Sequence, residues 1–148
     1  MKLLEFIKDP ATKDEGVIAK VLEKYAVAII SRDTETLKSL ISNNAMIKSD
    51  AIDENVLLER DEFIRRASVI LNYIFFYSFI NIIIKATEHN AIVSCSAYWW
   101  LSKNHSSKIV PLQFGFIKKN NAWLINKIEY TRDMITSLND PIEALPNN

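Results

Sequence analysis

The chain has 148 residues with 18 basic and 18 acidic side chains, so its net charge of zero argues against a nucleic-acid or anionic-membrane surface. Hydrophobic residues make up 49% and charged residues 24%, which is typical of one globular domain over residues 1–148. The apolar stretches are too short to span a bilayer. Glu5 interrupts the apolar N-terminus, so we expect no secretory signal. The single cysteine, Cys95, excludes an internal disulfide and is compatible with a cytoplasmic location.

The N-terminal part of the chain carries helix signals. Residues 2–8 predict one or two helical turns that end at Pro10. Thr12 and Glu15 have the spacing of a capping box, which predicts the start of a longer helix running to about Ser31. Apolar residues recur in this helix at three- and four-residue intervals, at Ile18, Val21, Leu22, Tyr25, Ala28 and Ile29.

Three shorter elements are predicted next. Asp33 is placed to cap a short second helix, and residues 43–49 predict a short strand. Residues 50–60 predict an acidic, irregular connection. Asp61 is expected to cap a third helix. The apolar face of that helix comprises Phe63, Ala67, Ile70 and Ile74.

Residues 75–131 predict an antiparallel meander. Its apolar runs are rich in β-branched and aromatic residues and cover residues 75–87, 91–101, 109–118 and 122–131. The predicted turns between them carry asparagines, which tolerate left-handed backbone best after glycine, at Asn90, Asn104, Asn120 and Asn121. The first run is apolar on both predicted faces, with Phe75, Tyr77, Phe79 and Ile83 on one and Phe76, Ile80, Ile82 and Ile84 on the other. A strand with one buried face alternates apolar and polar residues, so we expect the second face to meet another subunit in a homodimer.

Two further features of the meander concern the faces of its second run and the regularity of its third. The second run has one row with Val93, Cys95, Ala97, Trp99 and Leu101, and another with Ser94, Ser96, Tyr98 and Trp100. One row is expected to line a helix-facing cavity and the other a subunit interface, and the sequence leaves open which is which. Gly115 inside a strand predicts a bulge or bend. After the meander, residues 140–143 favour a short terminal helix.

Two segments resemble a known family. Residues 21–50 (VLEKYAVAIISRDTETLKSLISNNAMIKSD) and residues 120–130 (NNAWLINKIEY) resemble the opening and the closing strand of the nuclear transport factor 2-like superfamily, which includes SnoaL-like polyketide cyclases and ketosteroid isomerase. The resemblance covers about residues 13–132. It implies an α+β fold of three N-terminal helices packed on a strongly curved antiparallel sheet, a cone with a pocket. Members are isomerases, dehydratases, hydrolases, cyclases or binding modules, so function stays open.

The resemblance also allows a test of catalytic residues. Ketosteroid isomerase pairs an aspartate base with an oxyanion hole of tyrosine and protonated aspartate. The resemblance puts Tyr25 at the position of the oxyanion-hole tyrosine, Ser49 at the position of the aspartate base and Gln113 at the position of the protonated aspartate. A serine is no base near neutral pH without an activating partner. Asp50 would replace Ser49 only with a one-residue register change, which turns a side chain to the other face. Enolisation by this set is therefore not expected.

The leading hypothesis is a small-molecule-binding, sheet-mediated dimeric domain with a mostly apolar pocket. Tyr25 and Gln113 would orient the ligand, and Trp99, Tyr98 and Phe114 would form walls. The competing interpretation of Tyr25 is a core residue on a helical apolar stripe.

Two alternatives remain. One is a SnoaL- or isomerase-like enzyme acting on a carbonyl or polyketide-like substrate, with Asp50 or Asp53 as base. The other is a non-catalytic interaction module whose cone is filled by side chains. No cofactor is expected, and no His-x-His or Glu-x-x-His spacing predicts a metal site.

Overall fold

The structure, a computed structural model, describes residues 2–48, 57–101 and 107–130. The elements in chain order are β1 (Leu4–Phe6), α1 (Lys13–Ile30), α2 (Thr34–Ser39), β2 (Ile41–Lys48), β3 (Leu57–Glu59), α3 (Arg60–Leu71), β4 (Ile74–Ala86), β5 (Asn90–Leu101), β6 (Ser107–Lys119) and β7 (Ala122–Tyr130). The strands of this part of the chain form one sheet in the order β1-β4-β5-β6-β7-β2-β3. Three helices with one sheet confirm the predicted α+β class. The sheet is mixed, because β1 pairs with β4 and β2 with β7 in parallel.

The predicted capping of α1 and α2 is confirmed. The Thr12 hydroxyl accepts a hydrogen bond from the Glu15 backbone N–H at 3.1 Å, while the Glu15 carboxylate accepts from the Ala11 N–H at 2.8 Å. Asp33 caps α2 by accepting from the Thr36 N–H at 3.0 Å. These contacts satisfy N–H groups that lack a partner within the helix, so the local sequence sets where both helices begin.

The prediction of helical turns in residues 2–8 is wrong. Residues Leu4–Phe6 form β1, which pairs with β4, and the Phe79 N–H donates to the Leu3 carbonyl oxygen at 2.9 Å. A helix of two turns is marginally stable in water. The edge of β4, in contrast, offers a row of backbone groups that need partners, and the N-terminal segment satisfies them.

The start of α3 also differs from the prediction. The helix begins at Arg60, and Glu59 is its N-cap, with no side-chain cap in the described part of the chain. Asp61 lies in the first turn, where its carboxylate pairs with Arg60 at 3.0 Å and with Lys38 at 3.5 Å. An acidic residue in the first turn still stabilises a helix through the macrodipole, which is why cap and first-turn positions are easily confused in sequence. The strand β3 lies within the connection that was predicted to be irregular.

A bulge at Asn81 changes which residues of β4 face the helices. Pairing with β5 shifts register between Ile80 and Ile83, and Asn81 has a positive φ of 56°. A bulge adds one residue and so reverses the alternation beyond it. The buried row of β4 that faces the core therefore comprises Ile74, Tyr77, Phe79, Ile82 and Ile84. The two predicted rows are wrong for Phe75 as well, because a second register shift separates Ile74 from Phe76.

The last hairpin confirms two predictions. Asn120 and Asn121 form the two-residue turn between β6 and β7 with φ values of 53° and 64°, as in the type I′ turns that asparagine favours. The pairing of β6 with β7 shifts register between Gly115 and Phe116, so the irregularity predicted at Gly115 is present there, although the extra residue belongs to β7. A Cβ at Gly115 would come within 3.2 Å of the Lys127 Cβ, so the missing side chain also permits the close approach of β7.

Candidate functional site

Alternate side chains of β5 point to opposite sides of the sheet, one side covered by the helices and the other turned away from them. The row containing Val93, Cys95, Ala97, Trp99 and Leu101 is buried against the helices. Ser94, Tyr98 and Trp100 belong to the opposite row, on the side turned away from the helices, which we call the outer face. The sequence left open which row of β5 faces the helices, and the structure shows that it is the row of Trp99.

Five aromatic side chains meet in the interior, and we call them the aromatic cluster: Tyr25, Tyr77, Phe79, Trp99 and Phe114. The ring of Tyr25 lies 5.5 Å from that of Phe114, edge to face, and 5.6 Å from that of Phe79. The rings of Tyr77 and Trp99 are 5.9 Å apart. Such arrangements stabilise aromatic pairs beyond the area that they bury. Tyr25 is only 2% exposed, as the core interpretation of this residue predicts.

Trp99 carries a buried polar group without a partner. Its side chain is 7% exposed, and its indole Nε1–H makes no hydrogen bond within the described residues. The other two indoles differ: Trp123 donates to Asp14 at 3.1 Å, and Trp100 donates to the hydroxyl of Tyr98. A buried donor without an acceptor costs about 1–3 kcal/mol, so such groups are rare and each calls for an explanation, such as an ordered water, an ion or a ligand that supplies the acceptor.

Gln113 does not join the aromatic cluster. Phe114 points toward the helices, so its neighbour Gln113 points to the outer face, where it is exposed and pairs in register with Ser94. There Gln113 borders a shallow depression of about 280 Å³ with Ile83, Lys85, Ile92 and Ser94. This corrects the expected pairing of Tyr25 with Gln113 around one ligand. Tyr98, which was expected in the pocket wall, also lies on the outer face.

Comparisons with solved structures establish the fold. An NTF2-like protein of unknown function from Pseudomonas putida superposes with a TM-score of 0.71 over 87% of this chain and 94% of that chain, at 12% identity. A protein from Xanthomonas campestris, provisionally named a calcium/calmodulin-dependent protein kinase II association domain, gives 0.70 over 90% and 99%, at 13% identity. The chain has the nuclear transport factor 2-like fold.

A third solved neighbour carries a different provisional name. A protein from Shewanella frigidimarina, provisionally named a ketosteroid isomerase, superposes with a TM-score of 0.64 over 78% of this chain and 94% of that chain, at 11% identity. No protein-family profile matches the chain, and no curated protein matches it. At these identities the likeness defines the fold, and function has to be argued from the site.

The predicted bases and their neighbour lie beyond β2. Ser49, which the resemblance puts at the base position, and the proposed bases Asp50 and Asp53 lie outside the described residues. Within the described part of the chain, the buried polar side chains other than tyrosine, tryptophan and cysteine are Ser42, Ser78 and Ser96, so no carboxylate or histidine is buried there. The same part of the chain has no group of three or more histidine, cysteine, aspartate or glutamate residues placed to hold a metal.

Cys95 shares the buried row with Trp99. Burial strongly raises the pKa of its thiol, which keeps the sulfur protonated near neutral pH. A protonated thiol is a poor nucleophile and a poor metal ligand, so Cys95 acts as a small apolar residue, as its mid-strand position predicts. None of the described helices is long and apolar enough to cross a membrane.

The donor at Trp99 is the feature that sequence reasoning missed. The sequence placed Trp99 in a pocket wall and gave its indole no polar role. Nothing local marks that role, because Trp99 and Trp100 are adjacent and chemically identical. Only the fold gives the Trp100 indole a partner on its own strand and leaves the Trp99 indole without one.

Proposed function

We propose that this domain binds a flat, mostly apolar small molecule whose hydrogen-bond acceptor is received by the indole Nε1–H of Trp99. The observation that carries the proposal is the donor itself, which is buried at the edge of the aromatic cluster without a protein acceptor in the described residues. The buried rings of Tyr77 and Trp99 would form an apolar wall for a planar ligand, which enters by displacing the side chains that cover them. A carbonyl compound is the favoured class, since a solved neighbour is provisionally named a ketosteroid isomerase.

We expect this site to discriminate between ligands by their hydrogen-bond acceptor more strongly than by the shape of their apolar part. A ligand with a carbonyl oxygen gives the buried donor an acceptor and recovers about 1–3 kcal/mol, while an analogue without that oxygen leaves the donor unpaired, as it is in the free protein. A site built to hydrogen-bond one group rejects analogues that lack it, whereas an apolar pocket discriminates weakly between similar shapes. We therefore expect selectivity for ketones over hydrocarbons of the same shape.

The three tryptophans allow a direct test by NMR of the indole N–H resonances. The probe is 2-acetonaphthone, and the matched control is 2-isopropenylnaphthalene, in which a CH₂ group replaces the carbonyl oxygen. The ketone should move the Trp99 resonance downfield, whereas those of Trp100 and Trp123, whose indoles already have acceptors, should move little. The ketone should bind at least about tenfold more tightly than the alkene. Equal affinity, or no response at Trp99, would exclude the proposed contact.

A variant isolates the role of the donor. Trp99→Phe keeps an aromatic ring and removes the N–H, so the preference for ketone over alkene should fall to about one even if both ligands bind more weakly. The ratio of the two affinities is insensitive to a general loss of packing. A preserved preference in Trp99→Phe would assign the acceptor contact to another residue.

We also propose that a second copy of the chain covers the outer face. Ile92 and Ile109 lie there with exposed fractions of 51% and 53%, which is unusual for two large apolar residues in the middle of a sheet. Ser94 leaves room for close approach, and Tyr98 and Trp100 have the character of interface anchors. A solved neighbour that is provisionally named an association domain supports this use of the fold.

A further inference from the structure

A depression distinct from the one beside Gln113 lies away from the aromatic cluster, and we call it the polar groove. It forms where the end of α2, the start of β2, the first turn of α3 and the β6–β7 hairpin meet, and its volume is about 430 Å³. Its lining residues are Ser39, Ile41, Ser42, Asn43, Arg60, Lys119, Asn120 and Leu124. This volume is in the range that holds small organic ligands.

The charge of the polar groove has one sign. Arg60 and Lys119 line it, and no acidic side chain is among its described lining residues. The whole chain has zero net charge, so a wall with two cations and no anion departs from its average composition. A concave site lined by one sign of charge attracts ligands of the other sign.

The guanidinium of Arg60 is held in position before any ligand arrives. Its Nη1 donates to the Ile41 carbonyl oxygen at 3.4 Å, and its Nε donates to the Asp61 carboxylate at 3.0 Å. Asp61 is itself paired with Lys38 at 3.5 Å, so its charge is shared between two cations. A guanidinium carries five N–H donors in a fixed fork, and these two contacts use only part of that capacity.

The hydroxyl groups of Ser39 and Ser42 already donate hydrogen bonds within the protein, so the hydrogen-bond donors available to a ligand belong to other side chains of the groove. Ser39 donates to the Thr36 carbonyl oxygen at 2.6 Å, and Ser42 donates to the Asn44 side chain. Lys119 and the amides of Asn43 and Asn120 complete the set of lining side chains that carry N–H groups. A ligand that accepts several hydrogen bonds and carries negative charge matches this set.

We propose that the polar groove binds a small phosphate ester through Arg60 and Lys119. A phosphate has three acceptor oxygens and more than one negative charge near neutral pH, and arginine pairs with it through two parallel hydrogen bonds. The groove shares no described lining residue with the aromatic cluster. Failure of a phosphate ester to bind in the groove would therefore say nothing about the ligand proposed for Trp99, and failure of the ketone to bind at Trp99 would say nothing about the groove.

The test is a titration of ¹⁵N-labelled protein with glycerol 3-phosphate at low ionic strength. Glycerol tests the contribution of the organic part, and succinate tests whether any dianion suffices. Glycerol 3-phosphate should shift the backbone amides of Ser42, Asn43, Lys119 and Asn120 in a saturable manner. Glycerol should produce no shifts, and succinate should bind at least about tenfold more weakly, because a carboxylate lacks the third oxygen. Succinate binding as tightly as the phosphate ester would overturn the phosphate assignment.

Three variants separate a specific site from general electrostatic attraction. Lys119→Gln and Arg60→Gln should each weaken glycerol 3-phosphate about tenfold or more, since each removes a charged hydrogen bond. Lys20→Gln is the matched control, because it removes one positive charge from an exposed position on α1, outside the groove. Arg60 also contacts β2, but Lys119 is exposed at the end of β6, so its variant tests the site without threatening the fold. Equal weakening in all three variants would overturn the proposal.

Discussion

The carboxylate of Asp14 accepts a hydrogen bond from the indole Nε1–H of Trp123 at 3.1 Å, across 109 residues of chain. Lys118 donates to the same oxygen at 3.3 Å, and its ammonium lies 5.7 Å from the centre of the Trp123 ring. These contacts fasten the first turn of α1 to the β6–β7 hairpin. The helix whose start is set by local capping is thereby attached to the last described strand of the sheet.

The first prediction concerns the stability that this contact supplies. Asp14→Ala should lower the free energy of unfolding, because the buried indole of Trp123 loses its acceptor. Asp14→Asn should lower it less, since the amide oxygen can still accept the hydrogen bond although the ion pair with Lys118 is lost. Urea denaturation near neutral pH measures both variants. Identical effects of the two substitutions would show that the indole contact contributes nothing.

The second prediction concerns the pH dependence of the same contact. The hydrogen bond from Trp123, followed by that from Lys118, lowers the pKa of Asp14 from its ordinary value. A group whose pKa is lower in the folded protein stabilises the fold at pH values above its unfolded pKa. That stabilisation disappears as the pH falls from the ordinary pKa of aspartate through the lower pKa of folded Asp14.

A matched variant makes the pH prediction testable. Asp14→Asn removes the titrating group, so the loss of unfolding free energy on acidification should be smaller than in the unmodified chain. Glu35→Gln on α2 is a suitable control, because it removes one carboxylate at an exposed position. Urea denaturation between neutral pH and about pH 3 compares the three proteins. The same acid sensitivity in the unmodified chain and in Asp14→Asn would contradict the assignment.

The third prediction concerns the bulge in β4. Asn81 has a φ of 56°, a left-handed conformation that costs most residues about 1–2 kcal/mol and that β-branched residues tolerate least. Asn81→Val should therefore destabilise the protein by about that amount, whereas Asn81→Gly should have a smaller effect. Because Asn81 is exposed, no lost burial confuses the comparison. Thermal or urea unfolding that ranks glycine below valine would refute the conformational explanation.

Asn81 also shows how far the sequence determines this fold. Capping at Thr12 and Asp33 and the turn at Asn120 depend on neighbours within a few residues, and the sequence predicts them correctly. The rows of β4 depend on where a bulge falls, which is decided by pairing with β5. Counting alternate residues cannot detect one inserted residue, so the predicted faces are wrong beyond Asn81.

The candidate site likewise has features that the local sequence predicts and features that only the fold determines. Alternation along β5 correctly separates the row of Trp99 from the row of Tyr98, but it cannot say which row the helices cover. The position of Gln113 is wrong in the sequence interpretation because the family resemblance placed it opposite Tyr25, whereas the buried Phe114 turns it outward. The lone donor of Trp99 depends on which acceptors the fold brings near, so it has no local signature in the sequence.

The last prediction tests the dimer proposed for the outer face. Ile92→Glu and Ile109→Glu place a charge in the proposed interface, where an unpaired buried carboxylate is strongly unfavourable. Ile92 and Ile109 are both about half exposed in the single chain, so a glutamate at either position stays in water and the monomer should remain folded. Val69→Glu on α3 is the matched control, since Val69 is 62% exposed and lies outside the sheet. Sedimentation at micromolar protein should show monomers for the two sheet variants and dimers for Val69→Glu and the unmodified chain. Dimers in all four proteins would move the interface away from the outer face, and monomers in all four would remove the dimer altogether.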